Sequence, residues 1–111
     1  MGKLDVMAEL KARFEKNKRR AAEIKSLGIT VYFDPLTIKE SALINEEAKG
    51  DEYVAGLLAL IQKAHHADGS KVFEDHPNTV TSLRNEVEAE VIGEFMTAMN
   101  GGETADQAKN D

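Results

Sequence analysis

Cysteine is absent from this chain of 111 residues. That excludes a disulfide scaffold, a thiol nucleophile and cysteine-ligated zinc or iron–sulfur clusters. Long apolar runs are missing too. The longest, Val54 to Ile61, includes a glycine and is too short to cross a bilayer. The opening MGKLDVMAELKARF lacks the apolar core of a secretory signal, and Val6 stands where a myristoylation pattern needs Ser or Thr. The expected location is therefore cytoplasmic. What is present is 41% hydrophobic and 31% charged residues, a balance that fits one soluble domain with a modest core.

The net charge of −6 is unevenly spread. Residues 1–28 carry eight Lys/Arg against four Asp/Glu, a net of +4, and residues 29–111 carry a net of −10. An acidic body argues against nucleic acid as the main partner, because phosphate binding needs accumulated positive charge. The basic exception is Lys16-Asn17-Lys18-Arg19-Arg20. It reads as a solvated helix face, as a contact with an acidic protein surface such as a neighbouring copy, or as a nucleic-acid contact. No aromatics or glycines interleave with it to support the last reading.

Residues 4–27 read as one helix closed by Gly28, with good helix formers and no proline. Met7, Leu10, Phe14, Asn17, Ala21 and Ile24 recur at heptad spacing, a narrow seam for a helix lying along its own domain or docked on another subunit. Ile29 to Phe33 is the one convincing strand, β-branched and aromatic throughout. Its backbone groups need a partner, for which Val72-Phe73 is the candidate. Thr37 and Glu40 form a capping box opening a helix over about 37–49, and Asp51 caps a helix over about 52–67. A helical turn is expected near Asn78. A stronger helix is expected over Asn85–Met99, with Asn85 as N-cap and Glu88 completing a second capping box. The expected class is thus mainly α: a single helical domain over 1–99 of about four helices and one strand, with 1–28 as a basic N-terminal helix. Residues 100–111 read as a disordered, dispensable tail.

Site chemistry is sparse. His65 and His66 are adjacent and point about 100° apart on a helix, so they do not share a metal; His65 reads as a core histidine. Asp68-Gly69-Ser70-Lys71 has its glycine in the wrong place for a calcium loop and reads as a surface turn. Glu86, Glu90 and Glu94 form an acidic stripe with no histidine at di-iron spacing. No phosphate loop, nucleophile elbow or triad order is present, so no enzyme, metal or cofactor function is expected.

The order of motifs matters more. A basic helix leads into Gly28-Ile29-Thr30-Val31-Tyr32-Phe33, then Pro35-Leu36-Thr37 with Glu40. After these come Leu57-Leu58-Ala59-Leu60-Ile61, then Ala67-Asp68-Gly69-Ser70-Lys71-Val72-Phe73, and a final amphipathic helix. This resembles the tail assembly chaperones of long-tailed, lambdoid-type bacteriophages, with a glycine-led "vyv-x-plt" segment and a "DG-x-x-x-F" loop, over about residues 5–99. Phe33-Asp34 departs from the pattern, where many relatives carry a basic residue.

The resemblance implies a non-enzymatic protein of the host bacterial cytoplasm, absent from the mature virion. It would bind the long helical tape measure protein, keep it soluble and help recruit tail tube protein. It would also assemble with itself as a ring or spiral homo-oligomer, and a longer form would arise by −1 ribosomal frameshifting. Ala108-Lys109-Asn110 permits the slippery codons GCA-AAA-AAC. Candidate self-association residues are Met7, Leu10, Phe14, Lys18, Arg19 and Arg20 against Glu86, Glu90 and Glu94. Phe95, Met96 and Met99 are the candidate groove for a partner helix. The alternatives are a small DNA-binding regulatory protein using the 11–20 basic helix, and a structural virion component.

Overall fold

The structure is a computed structural model that describes residues 5–101. It corrects the fold class. Among the described residues five helices accompany a three-stranded antiparallel sheet, an α+β arrangement rather than a mainly helical one. The order is α1 (Val6–Lys16), β1 (Arg20–Ile24), β2 (Ile29–Phe33), α2 (Ile38–Ala48), α3 (Glu52–Lys63), β3 (Ala64–His65), α4 (Pro77–Asn85) and α5 (Ala89–Met99).

The helix expected over 4–27 is overturned by β1. The strand expected at Ile29–Phe33 is present, and its unpaired backbone groups find their partner within the basic segment. Arg20 pairs with Phe33, Ala22 with Val31 and Ile24 with Ile29. Helix propensity in Arg20-Ala21-Ala22-Glu23-Ile24 is worth only tenths of a kcal/mol per residue, and a ladder that satisfies a core strand outweighs it. Gly28 has its expected left-handed backbone, φ +65°, but it closes a hairpin loop instead of a helix: its N–H donates to Ile24 O at 2.9 Å. The heptad seam is therefore split between α1 and β1.

The second edge of β2 pairs with β3 (Tyr32 with His65, Phe33 with Ala64), so the helix expected to reach residue 67 ends at Lys63. Val72-Phe73 does not pair with β2 as expected: Lys71 bridges to His65 of β3, and the Val72 N–H donates to Ala64 O. The last helix is also corrected. Asn85 ends α4 instead of capping α5, and Glu88 takes the N-cap place with no side-chain cap bond. Pro77 at the first turn and a His76 ring that accepts from Asn78 N start α4 early enough to absorb Asn85. Residues 102–111 of the expected tail, with the frameshift position at 108–110, lie outside the described residues.

One face of the sheet carries the main core. Ile24, Val31, Phe33 and Ala64 pack with Leu60 of α3 and with Phe95 and Ala98 of α5. Phe73 meets Phe95 edge to face at 5.6 Å. Leu57, Ile61 and Leu83 form a second cluster, and Met96 touches both. His65 is buried as expected, its Nδ1 3.0 Å from Lys63 O.

The Thr37–Glu40 capping box forms as read from the sequence. Glu40 Oε1 accepts from Thr37 N, while Oε2 accepts from Lys63 Nζ at 2.7 Å, tying α2 to the end of α3. The Lys63 hydrogen bond holds the Glu40 carboxyl below its ordinary 4.5, helped by the Thr37 N–H. A lowered carboxylate stabilises the fold above its unfolded pKa, and that contribution disappears as pH falls through the folded value. The Glu40 side chain is 37% exposed, so solvent screening limits the pair. Glu40→Gln is expected to lower stability by about 1 kcal/mol at neutral pH, with the difference from wild type closing as acid protonates Glu40 below the ordinary glutamate range. Melting curves across pH check this; a gap that persists in acid counts against it.

Candidate functional site

Chain segments far apart in sequence build a groove between α3 and α5. Tyr53, Gly56 and Leu57 line it from α3 and Ile92, Gly93 and Met96 from α5, with Leu83 of α4 and Val87 of the α4–α5 link also in the lining. It encloses about 560 Å³. Local sequence explains its shape. Asp51 caps α3 by accepting from Tyr53 N and Val54 N, which starts the helix with Tyr53 outward and 84% exposed. Gly56 leaves room for the Met96 methyl, which a Cβ there would meet at 3.1 Å. Gly93 faces open space: a Cβ there would touch nothing within 4 Å.

The second feature is α1. Asp5 caps it by accepting from Ala8 N, but none of its residues is buried. Val6, Met7 and Leu10 are all more than half exposed. Phe14 is half-buried in a shallow depression with Asp34, Pro35, Leu43 and Lys63. At about 100° per residue, Val6, Met7, Leu10 and Phe14 share roughly 100° of arc. Lys11 and Arg13 flank that arc.

The residues expected to mediate self-association divide. Met7 and Leu10 are presented to solvent, as an intermolecular contact requires. Lys18 pairs with Glu15 at 3.1 Å and sits over the Phe14 ring. Arg19 is exposed but engaged within its own chain: its backbone N–H donates to Asp34 Oδ1 at 2.9 Å and its Nε lies 3.5 Å from the same atom. Arg20 Nη2 donates to Ala98 O and Met99 O, both at 2.8 Å. The acidic stripe is broken as well. Glu86 caps the end of α4, Glu90 lies on α5, and Glu94 accepts from Ser26 N and Ser26 Oγ. The Ser26 hydroxyl holds the Glu94 carboxyl below its ordinary range.

The expected partner groove is likewise redistributed. Phe95 is core and Met99 packs against the core; Met96 alone of the three lines the groove. Sequence reading missed Tyr53, Val87 and Gly93, which only the juxtaposition of α3, the α4–α5 link and α5 brings together. The one local signal in the sequence was an aromatic residue on the first turn of an otherwise aliphatic helix, and its meaning depends on the neighbour it faces.

Among the described residues no group of three or more His, Asp or Glu is gathered to hold a metal ion, and no helix is long and apolar enough to cross a membrane. Asp68 instead accepts from Ser70 N and Oγ, closing the turn at Gly69. No protein-family model, curated protein or solved structure matches the chain.

Proposed function

We propose that the protein is a tail assembly chaperone of a long-tailed bacteriophage, acting in the host cytoplasm and left out of the mature virion. It binds helical segments of the tape measure protein, keeps that protein soluble and helps recruit tail tube subunits, while associating with itself. The observation that supports this reading is the α3–α5 groove, an apolar trough about as long as an 11-residue helix and walled by Met96, Ile92, Leu57 and Tyr53. A trough of this kind accepts the apolar face of an amphipathic helix, and the methionine lets it adapt to successive, non-identical segments of one long client. The DNA-binding alternative loses its presentation, because 11–20 is not one helix and Arg19 and Arg20 make contacts within the chain.

The test is co-expression with the tape measure protein encoded by the same genome. The client is expected to move from pellet to supernatant and to co-purify. Tyr53→Asp leaves the fold intact, since the side chain is 84% exposed and an acid suits the first turn of a helix. It is expected to reduce recovery of soluble client several-fold. A client equally soluble alone, or equally well held by Tyr53→Asp, overturns the reading.

A further inference from the structure

We propose that the α3–α5 groove selects cationic amphipathic helices: segments with large apolar side chains at i, i+4 and i+7, and with Lys or Arg bordering that strip. The inference rests on reading the groove as a helix-binding site, and it names the class of helix that the site takes.

Three observations carry it. The first is the shape of the lining. Ala89, Ile92, Gly93 and Met96 stand at helical spacing along one face of α5, and Gly56 and Leu57 of α3 complete the trough. A trough about three turns long takes a helix that lies along it and anchors at i, i+4 and i+7. Gly93 decides what those anchors are. It is exposed, and a Cβ built on it would meet nothing within 4 Å, so the space above it belongs to the incoming helix. A large aliphatic or aromatic side chain fills that space. An alanine leaves it empty and forfeits the contacts.

The second is the charge at the border. Glu52 lies in the lining. Glu86 and Glu88 flank the lining residue Val87 in sequence, and Glu88 and Glu90 flank Ala89; all four carboxylates are exposed. Among the described residues none of the four enters an ion pair, whereas Asp34 and Glu40, beside the Phe14 depression, are paired with Arg19 and Lys63. Arg84 is the one cation in the lining among the described residues. Four unpaired carboxylates against one guanidinium favour a partner with positive borders and disfavour one with negative borders.

The third is the field of the whole chain. Residues 29–111 carry a net charge of −10, and every residue of the groove lies within them. A potential of one sign around the trough speeds the approach of cationic segments and slows that of anionic ones.

Fluorescence anisotropy with labelled synthetic peptides on the full chain tests the proposal. Three peptides share leucine anchors at i, i+4 and i+7 and differ only at the bordering positions, which are lysine, glutamine or glutamate. Exposed ion pairs are individually weak, so the preference is the sum of several. At low salt the lysine peptide is expected to bind about tenfold more tightly than the glutamine peptide, and the glutamate peptide more weakly still. At about 1 M salt, where the Debye length is about 3 Å, the three are expected to converge. A lysine peptide with alanine at the anchors is expected not to bind.

Two variants locate the effect. Gly93→Gln fills the open space at a helical position, and glutamine is the better helix former, so the melting temperature is expected to hold or rise. It is expected to weaken the lysine and glutamine peptides alike, several-fold. The triple variant Glu52→Gln, Glu86→Gln, Glu88→Gln alters only exposed side chains. It is expected to hold the glutamine peptide as wild type does and to lose the preference for lysine.

Equal affinity for the lysine and glutamate peptides overturns the proposal. So does a lysine preference that survives the triple variant, or binding of the alanine-anchored peptide. A Gly93→Gln protein that binds the lysine peptide as wild type does also overturns it, because the peptide is then held elsewhere on the acidic body. The client-binding reading is judged apart, by co-expression. Peptides that bind without regard to charge, and that Gly93→Gln weakens together, remove this inference and leave that reading in place. A charge-selective groove in a protein that leaves the tape measure protein insoluble removes that reading and leaves this inference.

Discussion

Replacing Phe33 by alanine is expected to lower the melting temperature by roughly 15–30 °C, the largest effect of any single substitution considered for this fold. Phe33 is 1% exposed and belongs to the cluster that joins β2 to α3 and α5. Large-to-small changes of this kind cost about 3–5 kcal/mol, through lost burial plus the cavity left behind. For a domain of about 100 residues each kcal/mol moves the midpoint by roughly 4–8 °C, and the total stability of such a domain is only about 5–15 kcal/mol. Phe33→Leu keeps most of the volume and is expected to cost less than about 1.5 kcal/mol. Ile38, equally apolar but 90% exposed, provides the control: Ile38→Ala is expected to change stability by less than about 0.5 kcal/mol. Thermal melts followed by circular dichroism rank the three. A Phe33→Ala protein that melts beside Ile38→Ala would show that the sheet does not rest on this core.

Phe33 also marks where the sequence was legible and where it was not. A β-branched and aromatic run with a proline two residues on reads as a strand from local chemistry alone, and Thr37–Glu40 announces a helix start just as plainly. The partner strand has no such signature. Arg20-Ala21-Ala22-Glu23-Ile24 is built from helix formers, and its strand character comes from the neighbour that needs pairing. Two traces remain visible. Arg20, Ala22 and Ile24 alternate inward with Ala21 and Glu23 outward, and Gly28 stands where a tight loop back to Ile29 needs a left-handed residue. Periodicity counted in sevens concealed a period of two. The error at α5 has a different cause: Asn85 and Glu88 have capping-box spacing, but a cap acts only where a helix is free to begin, and α4 already occupied Asn85. The groove follows the same logic. Met96 was identifiable as an adaptable apolar residue, whereas Tyr53 and Gly93 acquire their meaning only when α3 and α5 come together.

Removing Arg20 is expected to have the second-largest effect, and it separates two roles for the basic segment. Helix ends leave four carbonyls without intrahelical donors, and the last turn of α5 contains no basic side chain to serve them. Arg20 supplies the donor from β1, 78 residues away in sequence, bonding Ala98 O and Met99 O from one guanidinium nitrogen. It thereby links the end of α5 to the strand that the segment was not expected to form. Hydrogen bonds from a charged donor in a half-buried setting contribute about 1.5–3 kcal/mol, so Arg20→Ala is expected to lose about 2 kcal/mol and roughly 8–16 °C. Arg20→Lys keeps the charge but places it as a compact, strongly hydrated ammonium on a shorter stem, and is expected to recover less than half of that loss. The effect should be local as well as global. Hydrogen exchange of the amides in the last turn of α5 is expected to accelerate more than that of α2, which Arg20 does not touch. If Arg20 instead served the contact between copies, Arg20→Ala would leave the melting temperature of the dilute monomer within about 2 °C of wild type and lower the mass in solution. Measuring both at low and high protein concentration decides between the two.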